Sequence, residues 1–534
     1  MAHLSTILER TAQRRPEATA LISDELTMSY PQLNAAANQF ARVLADHGVG
    51  KGDRVVLNSI NSPYFVVAAY AVFKLGAVLS PANPQSTGPE LAYFLRDSGA
   101  KAFVAHPALA KPSADAFNHL GGGEEETPAP EAPIGLSLGP IDPSTPGADR
   151  FTDALALATQ ADDTNLGTAV EESDNALILY TSGTTGNPKG AVLDHHAAIW
   201  AGMSLGLSTG LHEGERVLMI APMYHSAPLT NVLFPTILAA GAIVIRPTFD
   251  PQDALNAIEK HKCTFTFAVP TMLALMLRVP NVESIDVSSM QRIFYGAAPM
   301  PGSLVTRVID AFPNARLTQG TGLTEGGPGG AVLTHEEILE RPWASGRGAN
   351  PNGVYRIVDP EGNDVAEGEV GEMILKSESM MKGYWNKPEE TAKTIRDGWL
   401  HTGDLAKRES DGFMTLVDRM KDMIISGGKN IYSAEVENAV SGHPGVLDVA
   451  VVGDLHEVYG ETVVAVIVPA DPENPPTLES IREHAAQTLA KFKLPRKVLY
   501  RDIPRNPSGK ILKHRLRDAV RSESAGGVSP VGGS

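Results

Sequence analysis

The sequence predicts an α/β protein built in two parts. The first is a large N-terminal domain of two α/β subdomains plus a small β-barrel-like module; the second is a small, mobile α+β C-terminal domain. Three observations carry this prediction. Helical and strand-like periodicities alternate up to about residue 110 and resume from Ala176 to about residue 330, the rhythm of βαβ units on a mostly parallel sheet. From Gly353 the pattern changes to short strands with turn signals, VYRIVDPEGNDV, GEMILKS and GFMTLVDR. Beyond Asp418 a short mixed region follows. A chain of 534 residues is too long for one ordinary core. The expected division is 1–418 and 419–534.

In chain order, Pro31 to His47 reads as helix, Arg54 to Asn58 as strand and Ser62 to Leu75 as helix. Leu79 to Pro81 is extended, Gly88 to Ser98 helical and Lys101 to Ala105 strand-like. Residues 121–149, GGGEEETPAPEAPIGLSLGPIDPSTPGAD, break the rhythm with Gly, Pro and Glu and predict a flexible surface insertion. In the C-terminal part, Ser433 to Val440 and Leu478 to Leu489 predict helices. Val446 to Val452 and Thr462 to Val468 predict strands. The tail SESAGGVSPVGGS, from about residue 522, predicts disorder, and no internal repeat of fixed period is present.

Composition excludes several function classes. The hydrophobic share is 43% and the charged share 20%, the balance of a globular protein. The longest apolar stretch, Phe65 to Leu79, is broken by Lys74 and predicts a buried amphipathic helix, not a membrane span. The N-terminus has no apolar signal core, so a cytoplasmic location is expected. A single cysteine, Cys263, rules out an intrachain disulfide and predicts a buried bystander. A net charge of −17 opposes nucleic acid and anionic membranes as partners. Any polyanionic ligand must therefore be gripped by local donors.

The stretch YTSGTTGNPKG, Tyr180 to Gly190, offers such donors directly after the apolar run Ala176 to Leu179. Its glycines let backbone amides turn towards an anion, and its hydroxyls add further donors. It lacks the Gly-Lys-Ser/Thr order of the common nucleoside-triphosphatase loop. Composition alone leaves open a plain turn between a strand and a following helix.

The whole string TSGTTGNPKG resembles the phosphate-gripping signature of the adenylate-forming superfamily, which includes acyl-CoA synthetases, peptide-synthetase adenylation domains and luciferases. Further segments resemble that family's motifs in the family's order. These are APMYHSAPL (Ala221 to Leu229), YGAAP (Tyr295 to Pro299), QGTGLTEGG (Gln319 to Gly327) and HTGDL (His401 to Leu405). DRMKDMIISGGKNIYSAEVE (Asp418 to Glu437) and PRNPSGKI (Pro504 to Ile511) complete the series.

The resemblance implies a two-step reaction. A carboxylate attacks the α-phosphate of ATP, giving acyl-AMP and pyrophosphate, and a thiol then displaces AMP. It places Thr181, Ser182, Gly183, Thr184, Thr185 and Lys189 around the phosphates. Glu325 becomes the Mg²⁺ ligand, since a hard cation bridging phosphates needs a carboxylate, and Thr324 donates to the α-phosphate. Gly296, Ala297, Ala298, Pro299, Gln319, Gly320 and Thr321 would lie along the adenine. Asp404 would accept the ribose hydroxyls, with Arg419 beside it. Lys510 would bridge the attacking carboxylate and the α-phosphate, a task suited to a point charge on a long stem.

His225 would gate the path between acyl pocket and thiol. The resemblance gives Lys421 the hinge position, and a pivot is required because Lys510 must withdraw before CoA enters. Gly427, Gly428 and Lys429 would line the CoA path. Tyr224, Ser226, Ala227, Asn231, Gly322, Pro328 and Gly329 would form the acyl pocket.

Two departures stand out. Thr321 occupies a position where many relatives carry an adenine-stacking aromatic, and the surrounding residues are small: Gly320, Gly322, Gly326, Gly327, Gly329 and Gly330. Small residues around a pocket leave volume for a ligand, which predicts a bulky hydrophobic or aromatic acid. CoA is the expected acceptor. A carrier-protein thiol, an inactive ATP-binding regulator and a homodimeric state are left open.

Overall fold

The structure is a computed structural model that describes residues 2–121, 132–181, 187–298, 300–505 and 511–525. By internal contacts these divide into two compact units. One holds the described residues through Pro342 with Gly346–Tyr355 and Leu375–Leu400; the other holds Trp343–Ser345, Arg356–Ile374 and the described residues from His401 on.

The first unit contains two sheets. One runs, in space, Gly383–Tyr384, Lys189–Asp194, Asn175–Thr181, Val78–Ala82, Arg54–Asn58, Ala102–Ala105, Ile134–Ser137 and Thr152–Asp153. Its interior pairs are parallel, and the two strands at the Gly383 edge are antiparallel. The other runs Gly348–Ala349, Gly330–Leu333, Arg316–Gly322, Arg292–Gly296, Phe265–Ala268, Arg216–Met219, Ala242–Ile245, Thr19–Ile22 and Thr27–Ser29. It is parallel in its middle, with antiparallel strands at both ends.

Ser29 caps the helix Tyr30–Asp46 and Ser62 caps Pro63–Lys74; each accepts the backbone N–H three residues on, with Pro in the first turn. Pro63–Lys74 is buried nearly all round, so it is not the amphipathic helix that the sequence predicts. Lys74 is buried with it because its ammonium meets Glu9 at 2.7 Å. Tyr70, Phe73, Phe234 and His195 pack edge to face there.

The insertion reading of 121–149 needs correction. Ile134–Ser137 is a strand pairing parallel with Ala102–Ala105, and Leu136 and Leu138 are buried. The Gly and Pro around IGLSL mask a run too short to show a period. Residues 122–131 lie outside the described part. Cys263 is buried, and burial pushes its thiol up to about 12, so it is an inert core residue.

In the second unit, Val446–His456 and Gly460–Pro469 form a long hairpin joined by Ile424–Ser426, Lys429–Ile431 and Lys497–Tyr500. Its strands are apolar on both faces, which requires cover on both. Val449, Val451, Val463 and Ala465 pack against the helices Ser433–Ser441 and Leu478–Ala485. The alternate residues Ala450, Val452, Val464 and Val466 pack against Leu516 and Val520 of Lys513–Ala525. That last helix runs past residue 522, where the sequence predicts the disordered tail to begin, and residues 526–534 lie outside the described part.

Candidate active site

Asn175–Thr181 and Lys189–Asp194 are antiparallel, with Tyr180 opposite Gly190 and Thr181 opposite Lys189. The stretch Tyr180–Gly190 therefore joins two strands, and no helix follows it directly. Ser182, Gly183, Thr184 and Thr185 lie outside the described residues. A Cβ on Gly190 would meet the Ile178 side chain at 2.5 Å, so glycine there is demanded by packing. The base of the stretch is braced. Tyr93 donates to the Pro188 carbonyl at 2.7 Å, and Tyr180 donates to Asp97 at 2.7 Å. Lys387 donates to the same carboxylate at 3.2 Å.

Glu325 sits on the short turn Thr324–Gly326, just past the strand Arg316–Gly322. One of its oxygens, Oε1, accepts from Thr181 Oγ1 at 3.3 Å and from the Tyr384 hydroxyl at 2.8 Å. Thr324 Oγ1 and Ser226 Oγ lie 2.9 Å apart. Lys189 donates to Glu390 at 2.6 Å and lies 5.0 Å from the Tyr384 ring centroid. The hydrogen bonds from Lys189 and Lys393 hold the Glu390 carboxyl down at about 2. Burial and the neighbouring Glu325 raise the Tyr384 phenol above its ordinary range, so it stays a donor. Thus Thr181, Lys189, Thr324 and Glu325, far apart in sequence, gather at adjoining strand ends.

Tyr384 and Glu390 escaped the sequence reading. The aromatic-rich MKGYW before a Pro-Glu-Glu helix start was the available signal.

The segments at Tyr295 and Gln319, which the resemblance assigns to the adenine, lie on neighbouring strands, with Tyr295 opposite Gln319 and Gly296 opposite Gly320. Tyr295 donates to Gln319 Oε1 at 3.1 Å, both side chains being buried. A Cβ on Gly296 would meet the Gly320 carbonyl at 2.3 Å. Ala297 adopts the left-handed conformation at φ 66°, a strained state for a non-glycine residue at a strand end. Ala298 and Thr321 are half-buried, and Pro299 lies outside the described residues.

The glycine run does not open a pocket in the way the sequence suggests. A Cβ on Gly330 would meet the Thr321 carbonyl at 2.2 Å, and one on Gly322 the Gly329 carbonyl at 2.6 Å. One on Gly327 would strike the Ser379 carbonyl at 1.9 Å, and one on Gly320 the Phe294 ring at 2.6 Å. Backbone crowding explains Gly322, Gly327 and Gly330, and the Phe294 ring explains Gly320, so none of these four is small in order to leave room for a ligand.

Tyr224 and His225 stack with ring centroids 4.0 Å apart. Their outer polar atoms, Tyr224 OH and His225 Nε2, are buried without a partner among the described residues. Burial lowers His225 to about 4, so it is neutral at pH 7. Next, Ala227–Leu233 forms a π-helical segment, a wide turn often found at functional sites and invisible to periodicity arguments. Asn231 lies on it and donates to the Pro328 carbonyl at 3.4 Å.

In the second unit, Asp404 and Arg419 face each other across an antiparallel pair, with Arg419 Nε 3.0 Å from Asp404 Oδ1. Gly403 has φ 70°, and its N–H donates to Glu372 at 3.0 Å. Arg517 binds the Lys421 carbonyl and the Asp422 carboxylate, both at 3.0 Å. Gly427 and Gly428, both at positive φ, form a two-residue hairpin turn, and Lys429 lies 4.5 Å from the Phe492 ring centroid. Lys510 lies outside the described residues.

Residues 8–385 match the family of AMP-binding enzymes, and residues 435–510 match the AMP-binding enzyme C-terminal domain. The chain is 36% identical over 516 residues to a feruloyl-CoA synthase of Amycolatopsis, covering 95% of this chain and 97% of the relative. It is 37% identical over 525 residues to the long-chain-fatty-acid–CoA ligase FadD13 of Mycobacterium tuberculosis, covering 97% and 98%. Among solved structures, the anthranilate CoA ligase AuaEII in complex with anthranoyl-AMP superposes with a TM-score of 0.88 at 25% identity, covering 98% of each chain.

Proposed function

The chain belongs to the AMP-binding enzyme family and is an AMP-forming acid–CoA ligase, and we propose that it activates a bulky hydrophobic or aromatic carboxylic acid. ATP and CoA are its co-substrates. The observation that carries the substrate class is the neutral, stacked pair Tyr224 and His225 leading into the wide turn at Ala227. An uncharged aromatic wall beside small side chains favours an apolar acyl group over a charged one. The names of the relatives, ferulate and long-chain acids, agree with an apolar acyl group and leave ring and chain to experiment.

In this reading, Thr181 and Lys189 bind the β- and γ-phosphates, Lys189 exchanging Glu390 for phosphate oxygen. The hydroxyl of Thr324 donates to the α-phosphate. Asp404 accepts from the ribose diol, Arg419 steadies Asp404, and Lys510 brings its ammonium to the attacking carboxylate. Both reactants are anionic, so oriented donors and cations supply the main stabilisation.

The metal reading fits the donor set. Among the described residues no cluster of three His, Cys, Asp or Glu could hold an ion alone. Glu325, one carboxylate among hydroxyls, suits Mg²⁺ that arrives on the triphosphate. Bound there, Mg²⁺ would neutralise charge on the phosphate oxygens. Gly427, Gly428 and Lys429 would then flank the pantetheine arm once the 419–534 part turns about Lys421.

The test is a panel of carboxylic acids incubated with ATP, Mg²⁺ and CoA. Pyrophosphate, AMP and acyl-CoA should form with ring-bearing or medium-to-long-chain acids and scarcely with acetate. A strong preference for acetate overturns the substrate class. Orthophosphate in place of AMP overturns the reaction.

A further inference from the structure

One ring spans two groups that the reaction needs separately. Tyr384 lies on the edge strand Gly383–Tyr384, paired with Val192 and Ala191. Its hydroxyl donates to Glu325 Oε1 at 2.8 Å, and the Lys189 ammonium lies 5.0 Å from its ring centroid, within cation–π range.

The backbone holding the ring is fixed on three sides. The Tyr384 N–H donates to Thr391 Oγ1 at 2.9 Å, and the Tyr384 carbonyl accepts from Lys387 N at 3.1 Å. Gly383, at φ 152°, runs so close to Thr391 that a Cβ would approach its Cγ2 to 2.7 Å. The Met381 N–H donates to the Glu325 carbonyl at 2.8 Å, tying this segment to the turn that carries the carboxylate.

A carboxylate with one oxygen held by a phenol and a threonine keeps its other oxygen at a set angle. A freely rotating glutamate would lose rotamer entropy each time it took up a cation. An ammonium resting on the ring face likewise starts near where phosphate must arrive.

We propose that Tyr384 is a positioning residue for adenylate formation. Its hydroxyl sets the Glu325 carboxylate for the divalent cation, and its ring face sets Lys189 for the phosphates. The proposal rests on Glu325 being the cation ligand of the ligase reading above. Phenylalanine at 384 keeps the ring and deletes only the hydroxyl, which separates the two roles.

The experiment compares the unsubstituted full chain with Tyr384→Phe in two ways. One is Mn²⁺ binding, followed by electron paramagnetic resonance with α,β-methylene-ATP present. The other is the Mg²⁺ concentration giving half-maximal acyl-hydroxamate formation. Losing a hydrogen bond to a charged group should weaken Mn²⁺ binding and raise the Mg²⁺ requirement, each about tenfold. At saturating Mg²⁺ the rate should largely recover, which a general structural defect would not allow. In a Glu325→Gln background, Tyr384→Phe should change Mn²⁺ binding less than twofold.

Tyr384→His, which keeps a ring and a donor, should restore part of the loss, and it carries the same test if Tyr384→Phe does not fold. Unchanged Mn²⁺ binding and Mg²⁺ requirement in Tyr384→Phe would overturn the proposal, as would equal losses with and without the Glu325 carboxylate. If the unsubstituted protein forms no hydroxamate with any acid, the ligase reading fails, while the Mn²⁺ comparison still decides the role of Tyr384.

Discussion

Replacing Gly330 with alanine separates two explanations for the glycine run around Thr321. If those glycines open the acyl pocket, an added methyl should narrow the range of acids and leave the fold intact. The geometry says otherwise. Gly330 stands opposite Gly322 in an antiparallel pair, and its new Cβ would lie 2.2 Å from the Thr321 carbonyl oxygen. That is about 1.2 Å short of the 3.4 Å at which ordinary contact begins. The obstacle is backbone, so no rotamer change relieves it.

The strands, normally about 4.8 Å apart, would have to separate by roughly a quarter of that spacing, beyond hydrogen-bond range for the local ladder. Overpacking costs about 1–3 kcal/mol and each lost ladder bond about 1 kcal/mol, so about 3 kcal/mol in all is expected. At about 2–4 °C per kcal/mol, the melting midpoint should fall by roughly 6–12 °C. Differential scanning fluorimetry gives the midpoint, and kcat/KM across an acid series gives the specificity. The expected result is a lowered midpoint with a loss of kcat/KM that does not depend on acid size. An unchanged midpoint with a loss confined to the larger acids would show that Gly330 leaves room for the acyl group instead.

Asp404→Ala should raise the KM for ATP about ten- to a hundredfold through loss of charged hydrogen bonds to the ribose, with 2′,3′-dideoxy-ATP affected far less; equal loss with both nucleotides would count against the assignment. Lys510→Ala should lower adenylate formation at least about a hundredfold, yet leave thioester formation from supplied acyl-adenylate nearly intact, as single-turnover assays of each half would show. His195 is buried, and burial pushes it down to about 3. Because the folded value lies below the unfolded one, its contribution to stability is complete above about pH 6.5 and is lost as pH falls towards 3. Urea midpoints measured across that window should fall less steeply in His195→Asn than in the unsubstituted protein, and parallel slopes would exclude the histidine as a source.

The motif segments were legible because they are local. TSGTTGNPKG, QGTGLTEGG and HTGDL each place hydroxyls, glycines and a charge within a few bonds of one another. Helices such as Gly88–Ser98 and strands such as Arg54–Asn58 were legible with their bounds, since caps and apolar periods mark them. Ile134–Ser137 was hidden, because four residues between prolines and glycines cannot display a period and their strand character comes from docking beside Ala102–Ala105. Tyr384 and Glu390 were hidden for a related reason. The MKGYW run hints at an aromatic site, but it does not show that the edge strand Gly383–Tyr384 brings Tyr384 to Glu325 or that the helix Pro388–Thr394 brings Glu390 to Lys189, far away in sequence.

The order of amino acids was enough to point to the reaction class, because short runs such as TSGTTGNPKG and QGTGLTEGG resemble a known family's motifs, and such runs survive as local strings of side chains. Only the tertiary structure decided what the glycines near Thr321 are for. Whether an absent Cβ makes room for a ligand or for a neighbouring strand depends on what lies 2–3 Å away in space, and chain order carries no record of that distance.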